Sequence, residues 1–129
     1  MIDVGHKPIT TRLAQARAIV KLNDQILALV MENKLKKGDT SDLIPLCHNI
    51  QLSSVDVSFH VDTEHKEISI DSIVTGHAKT GVEMEALTAV TVAALTIYDM
   101  CKAVSNDITI RDVRLVRKKG GKSDYELIS

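Results

Sequence analysis

The sequence predicts an α+β fold in which helices pack on one face of an antiparallel sheet. Val55, Val57, Phe59 and Val61 alternate with Ser54, Asp56, Ser58 and His60, the period of two expected of a half-buried strand. The run from Ala86 to Ile97 contains no charged residue, which marks a helix enclosed by protein on most sides. The elements follow in the order helix, hairpin, helix, strand. That segregation suits α+β rather than a strictly alternating parallel sheet.

The first twenty residues mix polar and apolar side chains without a clear period, and only a short strand at Ala18–Leu22 is expected among them. Asn23 or Asp24 then caps a short helix whose apolar face is Ile26, Leu27, Val30 and Met31. Asn33 and the basic run Lys34-Leu35-Lys36-Lys37-Gly38 end it, with cations where the helix dipole favours them. The Val55–Val61 strand leads through a polar turn at Asp62–Lys66 into a second run, in which Ile68 and Ile70 alternate with Ser69 and Asp71. Together these read as an antiparallel hairpin. Thr80-Gly81-Val82-Glu83 fits the capping-box pattern and opens the long helix, with Glu83 and Glu85 in its first turn. At the far end Asp99 and Lys102 share a face, with Tyr98 beside them. Ile108 and Ile110 resume alternation, and Val113 and Leu115 continue it on the opposite parity. That slip predicts a bulge near Arg111-Asp112.

A chain of 129 residues with 44% apolar content suits a single domain with one core. Aromatic residues make up only 2% and tryptophan is absent, so the core is built from Val, Ile, Leu, Ala and Met. So few rings argue against a surface that stacks single-stranded nucleic acid. The net charge of -1 gives no general attraction to nucleic acid, although local basic patches can still hold a phosphorylated small molecule. Cys47 and Cys101 are far apart and no leader-like segment precedes them, so free thiols in a cytoplasmic protein are expected. The Ala86–Ile97 run is too short to span a bilayer and carries Thr88, Thr91 and Thr96. A soluble protein with no membrane partner is expected.

Several residues invite chemistry. Cys47-His48 suggests a metal, but adjacent residues on an extended chain point apart and no Cys-x-x-Cys or His-x-x-x-His spacing supports one. No metal site is expected. Arg117-Lys118-Lys119-Gly120-Gly121-Lys122-Ser123 sets cations around two glycines, which reads either as a phosphate-wrapping loop or as a frayed basic end. Arg12 and Arg17 are further phosphate-binding candidates, and His77 and Lys79 flank the turn into the long helix. Asp99 and Lys102 are either an ordinary i,i+3 ion pair or an acid–base pair.

The segments KTGVEMEALTAV at Lys79–Val90, ALTIYDMCKAV at Ala94–Val104 and DLIPLCH at Asp42–His48 resemble the molybdenum cofactor biosynthesis protein C family. So do the opening MIDVGHKPITTR, KKGD at Lys36–Asp39 and GGKS at Gly120–Ser123. The likeness covers nearly the whole chain. It implies a ferredoxin-like core and the activity of a cyclic pyranopterin monophosphate synthase. Such an enzyme is a lyase that turns a GTP-derived 3′,8-cyclic nucleotide triphosphate into a cyclic pyranopterin phosphate and releases pyrophosphate. That chemistry needs proton transfers and no redox cofactor, in keeping with the lack of a dinucleotide fingerprint or cluster-binding cysteines.

The resemblance also implies site residues: Asp99, Lys102 and Lys37 as catalytic groups, and Leu46, Cys47, His48, Glu83, Met84, Glu85 and Lys122 as substrate contacts. A lysine beside another cation or in a dry pocket has its ammonium form disfavoured, which would let Lys37 and Lys102 exchange protons near neutral pH. The family forms homo-oligomers, hexamers built from dimers, with active sites shared between subunits. Two departures stand out. Asn49 replaces the proline usual after the histidine, and about one helix is absent after Asp39. The preferred explanation is that the natural chain contains that helix; a genuine deletion would favour a noncatalytic nucleotide- or pterin-binding or assembly subunit of the same fold.

Overall fold

The structure, a computed structural model, describes residues 9–33, 51–121 and 123–127. The elements run β1 (Thr10–Lys21), α1 (Asp24–Asn33), β2 (Gln51–Asp62), β3 (Glu67–Ala78), α2 (Glu83–Cys101), β4 (Thr109–Lys119) and β5 (Tyr125–Glu126). The strands form one antiparallel sheet in the order β2-β3-β1-β4-β5. The fold is α+β and ferredoxin-like, as the sequence predicts.

Four long strands, β1 to β4, account for nearly all of the sheet. Hairpin β2–β3 closes where expected, with Asp62 opposite Glu67. The Asp62 carboxylate accepts the His65 backbone N–H at 3.1 Å and meets its ring Nδ1 at 2.8 Å. Lys66 takes φ 55 to complete the turn. Strand β1 is central, pairing with β3 on one side and β4 on the other. It is much longer than the short strand at Ala18–Leu22 that the sequence suggests. Its inward positions are Arg12, Ala14, Ala16, Ala18 and Val20, whereas Leu13 and Ile19 face the other way. With apolar residues on both faces and alanine under the helix, the usual in–out contrast is weak.

The core lies between the inward face of the sheet and the helices. Ile68, Ile70 and Val74 of β3 and Ala14 to Val20 of β1 meet Ala86, Val90, Ala93, Ala94 and Ile97 of α2. The alanines on both elements allow close approach of helix and strand. Ser72 is fully buried and donates its hydroxyl to the Ala86 carbonyl at 2.8 Å, pinning the start of α2 to β3. Asn23 caps α1 by accepting the Ile26 N–H at 2.9 Å. Ile26 and Val30 of that helix enter the same core, but Met31 faces solvent rather than joining them.

Helix α2 corrects two expectations. Its N-cap is Val82, with no side-chain cap, so Thr80 does not serve the capping box. Instead the Glu83 carboxylate folds back over Gly81, occupying the space a β-carbon there would need. Nor is the helix enclosed on most sides. Among the described residues it buries one face, while Met84, Leu95 and Met100 stay about half exposed. Its 19 residues are long and apolar enough to cross a membrane by length and composition. Eight of them are buried inside the fold, which is the behaviour of a core helix.

The bulge expected near Arg111-Asp112 is present. The β1–β4 register shifts between Arg17 and Ile19, and Asp112 has φ 54. A second shift falls between Gln15 and Ala16. These two irregularities return Lys118 to the inward face, opposite Ala14.

Candidate functional site

The ends of β1, β3 and β4 converge on the first turn of α2. Arg12 lies on the inward face of β1 across from Gly76. Arg12 is 7% exposed and donates from Nη2 to the Lys79 carbonyl at 3.0 Å. Its Nε is buried with no hydrogen-bond partner among the described residues. A buried, half-satisfied guanidinium is costly unless an anion completes it.

The glycine turn after β4 packs against this arginine. Gly120 has φ 91, and a β-carbon there would collide with the Thr11 carbonyl. Thr10 donates its hydroxyl to the Gly120 carbonyl at 2.9 Å. A β-carbon on Gly121 would press on Arg12 Nη1. The Gly120 N–H is held by Asp124 at 3.3 Å, and the chain then returns as β5 beside β4. The described part of the tail is therefore an ordered turn, not a frayed end.

Carboxylates complete the cluster. Glu85 is 1% exposed in the first turn of α2, where the helix dipole favours its charge. Glu83 is partly exposed and lies 3.8 Å from Lys118 Nζ. Met84, between them on the helix, faces outward. Lys118 was legible from the sequence only as one cation of the basic tail. The phase slip in β4 was the signal that could have placed it inward.

Asp99 and Lys102 form the expected ion pair, at 2.8 Å, but at the opposite end of α2. From Glu83 to Asp99 the helix rises about 24 Å. Within one chain, therefore, the two groups of candidate residues stand apart. Both members of the pair are exposed, and the Asp99 carboxylate raises the Lys102 pKa above its ordinary value by hydrogen bond and charge. This reverses the expectation of a disfavoured ammonium for Lys102. The group is held as a proton donor and cation. Lys37, Leu46, Cys47, His48 and Lys122 lie outside the described residues.

Two other candidates fall elsewhere. Arg17 is on the outward face of the sheet, where its Nε pairs with Asp71 at 2.9 Å, remote from the glycine turn. His77 also faces outward, 3.3 Å from the Thr11 hydroxyl. Cys101 is a buried free thiol whose pKa is raised by desolvation. No grouping of three or more metal-ligating side chains occurs among the described residues.

Comparison with known proteins adds to this geometry. The MoaC family model matches residues 1–121. Molybdenum cofactor biosynthesis protein 1 of Drosophila melanogaster is 49% identical over 141 residues, covering 98% of this chain and 25% of that protein. The chain thus spans only a quarter of the length of the fly relative. Cyclic pyranopterin monophosphate synthase of Peptoclostridium acidaminophilum is 49% identical over 142 residues, covering 98% of this chain and 89% of that enzyme. Both matched spans exceed the 129 residues available here, so each relative carries residues that this chain lacks.

Proposed function

The chain belongs to the MoaC family, and we propose that it is a cyclic pyranopterin monophosphate synthase of molybdenum cofactor biosynthesis. It is a lyase that takes a GTP-derived 3′,8-cyclic nucleotide triphosphate, closes a cyclic phosphate on the pyranopterin and releases pyrophosphate. The observation that carries this reading is the cationic cluster around the first turn of α2. Arg12 has an unused buried donor, Lys118 stands inward beside it on the sheet, and the Gly120–Gly121 turn brings backbone against the same guanidinium. A polyphosphate is the ligand such a set suits, because charge-assisted N–H donors hold phosphate oxygens well. Glu83, Met84, Glu85 and Lys122, with Leu46, Cys47 and His48, are the proposed substrate contacts.

Proton transfer falls to Asp99, Lys102 and Lys37. The Asp99 carboxylate favours the charged form of Lys102 and holds its ammonium in place, so that in the resting pair Lys102 is a positioned cation and hydrogen-bond donor. Because the pair stands a helix length from the phosphate cluster, a complete site draws Asp99 and Lys102 from one subunit and the α2 N-terminal cluster from another. A homo-oligomer, a hexamer built from dimers in the cytoplasm, meets that requirement. The missing segment after Asp39 is proposed as part of the natural domain, in line with the longer relatives.

Single-turnover formation of the cyclic phosphate product tests the reading. Lys102→Ala and Asp99→Asn are each expected to lower the rate on the order of a hundredfold or more while leaving the fold intact. Product formed at the parental rate by both variants overturns the catalytic assignment. Pyrophosphate binding without any product from the parent chain identifies a noncatalytic relative instead.

A further inference from the structure

The carboxylate of Glu83 stands where an incoming anion is wanted. It lies over Gly81, and the three atoms nearest to a β-carbon built on that glycine all belong to it. Its Oε1 faces Lys118 Nζ at 3.8 Å. Lys118 and Arg12 sit on neighbouring strands of the inward face, and the buried Arg12 Nε has no hydrogen-bond partner among the described residues. Cations gathered on a half-buried surface are unfavourable unless something negative answers them. For Lys118, Glu83 is that group.

The pair is a loose one. Its 3.8 Å compares with 2.8 Å for Lys102 and Asp99 and 2.9 Å for Arg17 and Asp71. Charge-assisted N–H···O bonds run at about 2.7–2.9 Å, so Glu83 and Lys118 attract one another without a hydrogen bond. A phosphate oxygen that reaches Lys118 directly makes the stronger contact. The Lys118 and Glu83 side chains are 35% and 33% exposed, which leaves the carboxylate a way out by rotation about its own side-chain bonds. The backbone of α2 need not move.

We propose that Glu83 is a built-in counterion of the phosphate site: its carboxylate, parked over Gly81, holds Lys118 while the site is empty and yields it to a phosphate group of the incoming polyphosphate. The exchange presupposes the phosphate-binding role assigned above to Arg12, Lys118 and the glycine turn. Gly81 is the parking place. Its φ is not positive, so an alanine would suit the backbone. The nearest atoms that an alanine β-carbon would meet are those of the carboxylate, the far end of a flexible side chain. Such a substitution pushes the carboxylate aside and leaves its charge in the protein. The counterion also filters ligands. A single carboxylate or other monoanion merely replaces Glu83 at Lys118, whereas a polyphosphate reaches Arg12 as well and gains from the trade.

Calorimetric titration of the full chain with pyrophosphate tests the exchange, with circular dichroism as the check on folding. Glu83→Gln and Gly81→Ala are each expected to bind pyrophosphate roughly three- to fivefold more tightly than the parent, the range that fits loss of one partly exposed ion pair. Both remove the same contact, so the double substitution is expected to gain no more than the better single one. With Lys118→Met as the background, Glu83→Gln is expected to give no gain. A gain that persists in that background is a general effect of charge and overturns the proposal. Unchanged or weaker binding by Glu83→Gln overturns it too, as does a folded Gly81→Ala that binds like the parent. The Lys118 comparison does not pass through position 81, and it decides the matter if Gly81→Ala does not fold. A parent that binds no pyrophosphate is a separate failure: it removes the phosphate site itself, and the counterion with it.

Discussion

Among individual residues, Asp62 shows how a single carboxylate sets a turn. Its oxygens hold both the backbone and the ring of His65, and those bonds lower its pKa below the ordinary value of 3.8, the backbone hydrogen bond contributing most. A carboxylate with a lowered folded pKa adds stability above its unfolded value. That stability fades as pH falls through the folded value. Asp62→Asn is therefore expected to lower the thermal midpoint at pH 7. The gap to the parent should close below about pH 3.8, and melting curves from pH 7 to pH 2.5 read it directly. A constant gap across that range would mean the carboxylate charge plays no part. Arg12 makes a contrasting case: its type and position were visible in the sequence, but not its burial. In the fold it lies across from Gly76 and against the turn at Gly121, with a buried Nε that has no hydrogen-bond partner among the described residues.

At the level of elements, the tight fit of α2 on β1 depends on small residues at the contact. Ala14, Ala16 and Ala18 are fully buried beneath a helix that itself presents Ala86, Ala89, Ala93 and Ala94. Ala16→Leu is expected to destabilise the fold by about 1–3 kcal/mol, because a packed interface has no room for added methylenes. Urea titration gives the value; a change within error would show that the helix shifts outward freely. The same alanines explain what the sequence hid. The β2–β3 hairpin was legible down to its turn, because Val55, Val57, Phe59 and Val61 alternate cleanly on one parity and Ile68 and Ile70 on the other, with the polar turn between them. The β4 bulge was legible because parity broke at a definite place. Strand β1 was not, since alanine and arginine on its inward positions resemble a helix as much as a strand. The start of α2 was misread by one signal: Thr80 has the right spacing for a cap but makes no capping bond, and the Glu83 carboxylate lies over Gly81 instead.

For the whole molecule, the distance along α2 decides how a site can be assembled. Mixing two inactive variants distinguishes the arrangements. Lys102→Ala copies mixed with Glu83→Gln copies are expected to regain up to about a quarter of parental activity if each site joins residues from two symmetry-related chains. No recovery after subunit exchange would place all the groups within one chain. The strand order carries a further consequence, in time rather than in space. Among the described strands β1 is made before the others, yet both of its neighbours, β3 and β4, come much later in the chain. At synthesis rates of about 5–20 residues per second, the end of β1 waits roughly 3–11 s before Ala78 completes its first partner. The β2–β3 hairpin has no such delay and can close as soon as it emerges. Alanine in the central strand thus serves a nascent chain as well as a packed one, since it exposes little greasy surface while β1 waits to be joined from both sides.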